Sequence, residues 1–142
     1  MARGGASAER LREVPLFSAL SKRELARVDQ ASDELDVTAG RELVIQGRTG
    51  HEFFLILSGQ AKVRRDDREV ATLGPGQYFG ELALFDRGPR TATVVADTDM
   101  KVVLLGQREF AGLLDTVPGM AAKLLAAVAK RLREAEGEPA HD

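Results

Sequence analysis

The sequence predicts a mostly β fold, an antiparallel β-roll (jelly roll) with helices on both sides and a short helix inside it. Short β-rich runs follow one another between residues 35 and 105. Glycines separate these runs, since eight of the 14 glycines lie between Gly40 and Gly88. Segments with helical periodicity flank the β-rich region. The predicted order is therefore helix, β-roll, helix within one domain, for which 142 residues are sufficient.

The N-terminal region predicts two helices with a break between them. Residues 1–8 are small and glycine-rich, and we expect them to be disordered. Helical periodicity runs from Glu9 to Ala31, but Pro15 interrupts it because proline disfavours a helical conformation at the residue before it. Ser21 begins the second helix, and Glu24 three positions later completes a capping box. Two apolar residues give that helix its inward face, Leu25 and Val28.

The central region predicts seven strands, one hairpin tip and one helical turn. Asp66 and Asp67 lie between two alternating runs and are typical of a hairpin tip. Residues 82–85 interrupt the strands with a short apolar helical turn. The predicted strands are Leu35–Val37, Leu43–Ile45, Phe53–Leu57, Ala61–Val63, Val70–Leu73, Thr91–Ala96 and Met100–Leu105.

The C-terminal region predicts two more helices. The first covers Gln107–Leu114, and Pro118 separates it from a long helix that runs from Met120 to about Ala135. Residues 137–142 form a polar tail. We place residues 9–136 in the folded domain. The long helix has an apolar stripe of four residues, namely Met120, Leu124, Val128 and Leu132. This stripe packs on the β-roll, on a second copy or on a partner, and packing on the β-roll is the commonest of the three arrangements.

Composition excludes several classes of protein. The net charge of −2 gives no general attraction to nucleic acid or to an anionic membrane. The absence of cysteine excludes disulfides and thiolate metal sites, and it favours a cytoplasmic location. His51 and His141 are the only histidines and lie far apart in sequence, so we expect no metal site and no cupin-type enzyme. We find no catalytic constellation, no signal peptide and no membrane-spanning run.

The most informative segment is FGELALFDRGPRTATV, residues 79–94. Gly80 and Glu81 introduce a short apolar helix, whose N-terminal amides favour an anion. Gly80 also permits close approach of the backbone to a ligand. Arg90 supplies a permanent charge and a planar fork for two phosphate oxygens. The carboxylate of Glu81 only accepts hydrogen bonds and therefore suits a sugar hydroxyl. Each residue alone is ordinary, but the joint pattern predicts a site for one small phosphate and one sugar.

This segment resembles the phosphate-binding cassette of cyclic nucleotide-binding domains, which occur in the catabolite activator protein, protein kinase A regulatory subunits and cyclic nucleotide-gated channels. The upstream sequences PLFSAL, FFLILSGQAKV and GPGQYFGELAL are similar to the same family, and the resemblance extends from about Leu11 to Leu132. It implies that Gly80 and Glu81 bind the ribose 2′-hydroxyl. It also implies that Arg90 binds the cyclic phosphate with help from the backbone N–H groups of Ala83 and Thr91. By the same resemblance, four further residues wall the pocket or pack behind it, namely Phe79, Leu82, Leu84 and Ala92.

The base-binding part of the site is less defined. The Thr91 hydroxyl suits the amino group of a syn guanine, but Thr91 is equally well explained as a β-branched strand residue. The family closes its last helix over the purine. Three basic residues of that helix are candidates to cover the base, namely Lys130, Arg131 and Arg133, although a solvated amphipathic face explains them as well. The corresponding contact in the catabolite activator falls near Ala135 and Glu136. We favour cAMP and keep cGMP open.

The sequence therefore predicts a cytoplasmic, non-catalytic sensor of cAMP or cGMP without a cofactor. On ligand binding its C-terminal helix shifts and passes the signal to an effector protein or to a second copy. The alternatives are a β-roll interaction module with a degenerate pocket and a small-molecule enzyme of the cupin type. Few residues follow the last helix and the tail is acidic, so we expect no DNA binding by this chain alone.

Overall fold

The computed structural model describes residues 6–86 and 88–137, and within them eight antiparallel strands form two sheets. The first sheet has the order β1-β8-β3-β6 and the second β2-β7-β4-β5. The predicted β-roll is confirmed. The strands are β1 (Asp33–Val37), β2 (Glu42–Val44), β3 (Glu52–Ser58), β4 (Ala61–Arg65), β5 (Arg68–Leu73), β6 (Tyr78–Phe79), β7 (Thr93–Ala96) and β8 (Met100–Gly106).

Four α-helices and two 3-10 turns complete the described fold. The second 3-10 turn, Glu81–Leu84, is called the cassette turn below. Residues 1–5 and most of the predicted polar tail (138–142) lie outside the described residues. The α-helices are α1 (Ala6–Arg12), α2 (Lys22–Ala31), α3 (Gln107–Thr116) and α4 (Met120–Gly137), and the other 3-10 turn is Pro15–Phe17.

Strand β3 separates two hydrophobic clusters. Its side chains alternate, so that Phe53 and Leu55 pack among the helices, whereas Phe54 and Ile56 pack inside the roll. Both faces of the strand are covered, which explains its unbroken apolar sequence. The ring of Phe17 meets that of Phe53 edge to face at 5.7 Å and ties the N-terminal helices to the sheet.

The predicted local signals at Ser21 and at the hairpin tip are confirmed. The Ser21 hydroxyl accepts a hydrogen bond from the Glu24 backbone N–H at 3.1 Å, and the Glu24 carboxylate accepts one from the Ser21 N–H at 2.8 Å. Asp66 and Asp67 have φ values of 54° and 64° between β4 and β5. Both values lie in the left-handed region that a tight two-residue hairpin requires.

Several boundaries differ from the prediction. Helix α1 begins at Ala6, before the predicted start at Glu9, and the two-residue strand β6 was not predicted. Thr91 precedes β7 and lies outside the strand in which we predicted it. The predicted stripe of α4 is buried at Met120 and Leu124 and partly buried at Val128, but Leu132 is exposed. Only the first half of α4 therefore packs as predicted.

None of the described helices is long and apolar enough to cross a membrane by itself. Helices α3 and α4 together meet the length and composition of a span, but the chain bends by 120° between them. Four of their residues belong to the helical core cluster, namely Phe110, Leu113, Met120 and Leu124.

Candidate functional site

A cavity of about 610 Å³ lies at the cassette turn and against strands β4 and β7. Eight of the nine predicted site residues line it: Phe79, Gly80, Glu81, Leu82, Ala83, Arg90, Thr91 and Ala92. The ninth, Leu84, does not line the cavity and is buried in the hydrophobic cluster among the helices. The other lining residues are Val44, Val63, Arg65, Tyr78, Asp86, Gly88, Pro89 and Val94. The cavity thus combines charged groups with an apolar wall, as a ligand with a polar and a flat apolar part requires.

Arg90 is the buried cation of this cavity. Its side chain is 9% exposed, and its Nη2 donates a hydrogen bond to the Glu52 carbonyl at 2.8 Å. The Glu52 carboxylate lies 3.5 Å from the same nitrogen. Burial lowers the pKa of Arg90, and the neighbouring charge of Glu52 opposes that shift. The guanidinium remains charged because the ordinary pKa of arginine is far above neutrality.

Two glycines make room for the Arg90 guanidinium. A Cβ atom at Gly50 would overlap its Nε and Cζ atoms. A Cβ atom at Gly80 would lie 2.7 Å from its Nη1 and 2.6 Å from the Glu52 carbonyl oxygen, and Gly80 has a φ of 81°. Gly80 is therefore required both for its left-handed backbone and for the closeness of Arg90. We predicted that Gly80 lets its backbone come close to a ligand. In the structure, the group that comes close to this backbone is the Arg90 side chain.

The cassette turn is a single 3-10 turn that follows Gly80. The backbone N–H of Ala83, which the resemblance assigns to the phosphate, donates to the Gly80 carbonyl at 3.0 Å. The Ala83 carbonyl accepts a hydrogen bond from the Gln107 side chain at 3.0 Å. The turn is therefore tied to helix α3 behind it, and the Ala83 amide is engaged within the turn.

Glu81 has two different carboxylate oxygens. Oε1 accepts a hydrogen bond in an ion pair with Nη1 of Arg131 from helix α4. Oε2 is buried and has no hydrogen-bond partner among the described residues. A buried carboxylate oxygen without a partner is costly, so this atom is suited to a donor brought by a ligand. The hydrogen bond with Glu81 raises the pKa of Arg131.

The three candidate cap residues differ in position. Arg131 reaches the site through its ion pair with Glu81. All three residues are exposed on α4 and none of them lines the cavity, so only the ion pair with Glu81 distinguishes Arg131. The structure therefore brings one of the three basic residues to the predicted site.

Comparison with known proteins identifies the family of this chain. A family model described as "Cyclic nucleotide-binding domain" matches residues 34–117, more than half of the chain. The chain belongs to the cyclic nucleotide-binding domain family. The resemblance seen in the cassette sequence is thereby confirmed.

Relatives of this cyclic nucleotide-binding domain include regulatory proteins. The cAMP-dependent protein kinase regulatory subunit of Aspergillus fumigatus is 43% identical over 109 residues, which are 75% of this chain and 26% of the relative. The chain spans about a quarter of the length of the curated relatives it matches. The N-terminal domain of a transcriptional regulator from Streptomyces coelicolor A3(2) superimposes with a TM-score of 0.85 and 36% identity, over 94% of this chain and 99% of that one.

A second similar structure contains a ligand. It is the regulatory domain of Toxoplasma gondii PKA in a co-crystal with cAMP, with 28% identity and a TM-score of 0.71. The match covers 89% of this chain and 49% of that one. The β-roll with flanking helices is thus the fold of the family.

Several residues at the cavity of this cyclic nucleotide-binding domain, or behind Arg90, were not predicted from the sequence. Gly50 and Glu52 hold Arg90 from a segment almost forty residues earlier, and no local motif marks them. The alternation of β4 places Val63 and Arg65 on one face, which is a signal that the sequence offered. Tyr78 precedes the cassette directly, and burial raises the pKa of its hydroxyl.

Proposed function

We propose that this domain is a cyclic nucleotide sensor whose cavity binds cAMP, with cGMP as the competing ligand. One observation carries the proposal. Arg90 and Glu81 line the same cavity, and the buried Oε2 of Glu81 has no hydrogen-bond partner among the described residues. A cyclic nucleotide carries a phosphate anion and a ribose hydroxyl close together, and it satisfies both groups at once.

The phosphate is assigned to Arg90. Its guanidinium is positioned in advance by the Glu52 carbonyl and by the space at Gly50 and Gly80. Binding therefore costs little side-chain entropy. A bidentate contact of a partly desolvated arginine with two phosphate oxygens is a strong, charge-assisted interaction.

The ribose is assigned to Glu81, and this residue connects the ligand to helix α4. Its Oε2 accepts the 2′-hydroxyl while its Oε1 retains Arg131. Ligand and helix then share one carboxylate. We infer that cAMP changes the position or stability of the second half of α4. The size of this change is set by the difference in cAMP affinity between the domain with α4 in its present position and the domain with α4 displaced.

The proposed ligand rests partly on relatives. The Aspergillus fumigatus relative is named as the regulatory subunit of a cAMP-dependent protein kinase, and the Toxoplasma gondii structure contains cAMP. We further propose that residues 9–136 form the binding unit, that it binds without catalysis, and that it acts in the cytoplasm.

We test the proposal by titrating the whole chain calorimetrically with cAMP and cGMP. We expect saturable binding, and we expect Arg90→Ala to weaken it by about 2–5 kcal/mol because the phosphate charge loses its partner. Arg48→Ala is the matched control, since Arg48 is a nearby exposed arginine that does not line the cavity. Equal affinities of Arg90→Ala and the parent would disprove the phosphate assignment. A folded parent that binds neither nucleotide would favour an interaction module with a degenerate pocket.

We also propose that α4 carries the output through a second copy of the chain. Leu125 is 70% exposed and Leu132 is 62% exposed. Together with Ala122 and Ala129 they form an exposed row with the 3-4-3 spacing of a coiled-coil seam. This row lies beside the stripe that we predicted from the sequence and shares only Leu132 with it.

A further inference from the structure

Arg65 is a second arginine at the cavity that the sequence motif does not include. It follows Val63 by two residues on β4, so both side chains project from the same face of the strand, and both line the cavity. Lys62 and Arg64 alternate with them and do not line it. The strand therefore fixes the face of β4 from which the Arg65 side chain projects.

Hydrogen bonds hold Arg65 over the cavity. Its Nε donates to the Thr91 carbonyl at 3.3 Å. The next residue, Asp66, is fixed by the Gln46 side chain, which accepts from the Asp66 N–H at 2.9 Å and donates to its carboxylate at 2.8 Å. The two terminal amino groups of Arg65 have no hydrogen-bond partner among the described residues. They are available to a ligand.

The surroundings of Arg65 differ from those of Arg90. Arg90 lies against Gly50 and Gly80 and is paired with Glu52, at the cassette turn. Arg65 lies at the end of β4, at the apolar wall made by Val44, Val63 and Val94. Since the flat faces of a purine are the apolar part of a cyclic nucleotide, they fit against this wall. The polar edge of the purine then meets the guanidinium of Arg65.

We propose that Arg65 is a base-selecting residue whose amino groups donate to the O6 and N7 acceptors of guanine and so raise the affinity for cGMP relative to cAMP. A guanidinium contains only donors, and its fork matches two adjacent acceptors. Adenine presents N7 as an acceptor beside an amino donor, so it satisfies only half of the fork. The exposed Thr91 hydroxyl lies next to the same segment and suits the guanine 2-amino group. This inference rests on the proposed function, because it requires that the cavity binds a cyclic purine nucleotide.

The experiment compares four proteins: the parent, Arg65→Ala, Arg65→Lys and Arg64→Ala. Each is titrated calorimetrically with cAMP, cGMP, cIMP and 7-deaza-cGMP. We expect Arg65→Ala to weaken cGMP binding about five- to tenfold more than cAMP binding. This ratio is near the lower end of the discrimination that a bidentate arginine–guanine contact provides, because the site is exposed. We expect Arg65→Lys to lose most of the same selectivity, since lysine retains the charge but not the fork. Arg64→Ala, on the opposite face of β4, leaves both affinities unchanged.

The two analogues locate the contact on the base. cIMP retains O6 and N7 but lacks the 2-amino group, so it should lose affinity in Arg65→Ala as cGMP does. 7-deaza-cGMP lacks N7, so its affinity should change less. An equal loss for cAMP and cGMP in Arg65→Ala would show a phosphate contact and overturn the inference, as would no loss for either. If the parent binds neither nucleotide, the proposed function is wrong, and this inference is then wrong as well.

Discussion

At the scale of single residues, the position of Arg90 depends on two neighbouring glycines that have no side chain, Gly50 and Gly80. The guanidinium fills the space that a side chain at Gly50 would need. We expect Gly50→Ala to displace Arg90 and to weaken cAMP binding by about 1–3 kcal/mol, the usual cost of overpacking, although every charge is retained. Calorimetric titration measures the loss. Gly112→Ala is the control, since a Cβ atom there meets nothing within 4 Å. If Gly50→Ala binds cAMP like the parent, the preorganisation assigned to Arg90 is wrong.

Glu81 permits a test with a modified ligand. Glu81→Gln removes the charge but retains an amide of similar shape, and 2′-deoxy-cAMP removes the ribose hydroxyl. If the hydroxyl donates to Glu81, each change alone weakens binding by about 1–3 kcal/mol, as for a hydrogen bond to a charged group. The two changes together then cost clearly less than their sum. The four titrations form a double-mutant cycle, and strictly additive losses would contradict the ribose assignment.

At the scale of elements, helix α4 is joined to α2 by a buried carboxylate. Lys123 Nζ lies 2.6 Å from Oε1 of Glu24, the same oxygen that accepts the Ser21 backbone N–H. These hydrogen bonds, that from Lys123 first, lower the pKa of Glu24 below its ordinary value of 4.5. One residue thus completes the N-terminal cap of α2 and holds the first turn of α4.

The lowered pKa predicts how the stability contributed by this contact depends on pH. The contribution is complete above the unfolded pKa and is lost as the pH falls through the lower folded pKa. Glu24→Gln retains a capping acceptor but no charge, so we expect it to reduce the free energy of unfolding by about 1–2 kcal/mol at about pH 7. Urea unfolding at about pH 7 and about pH 3 measures the difference, which should shrink at the lower pH. A difference independent of pH would contradict the assigned charge interaction.

The same elements show which features the sequence could predict. Capping and hairpin signals are local, so Ser21 and Asp66 were located correctly, and the cassette motif is local enough to name an arginine that lines the cavity, Arg90. The inward stripe of α4 was wrong at Leu132, because periodicity identifies an apolar face but not where the packed partner ends. Glu52 was missed because its contact with Arg90 depends on how β3 lies beside the cassette, and no spacing in the sequence encodes that approach.

At the scale of the whole molecule, one face of α4 leaves large apolar side chains exposed. Met120 and Leu124 are buried in the helical core, whereas Leu125 and Leu132 project away from it. The exposed leucines occupy equivalent positions of consecutive heptads, and alanines alternate with them. Such a row is the kind of surface that the proposed two-fold dimer requires, because each copy presents the same residues to the other.

Sedimentation equilibrium of the whole chain tests this arrangement. We expect the mass of a dimer, twice the 15.4 kDa of one chain, at about 0.1 mM protein. The double variant Leu125→Glu/Leu132→Glu should sediment as a monomer and retain its affinity for cAMP, because neither leucine lines the cavity. Val70→Glu is the matched control, since Val70 is an exposed apolar residue on β5, away from α4. A parent chain that stays monomeric at this concentration would contradict the proposed dimer and would leave α4 to act on a different protein.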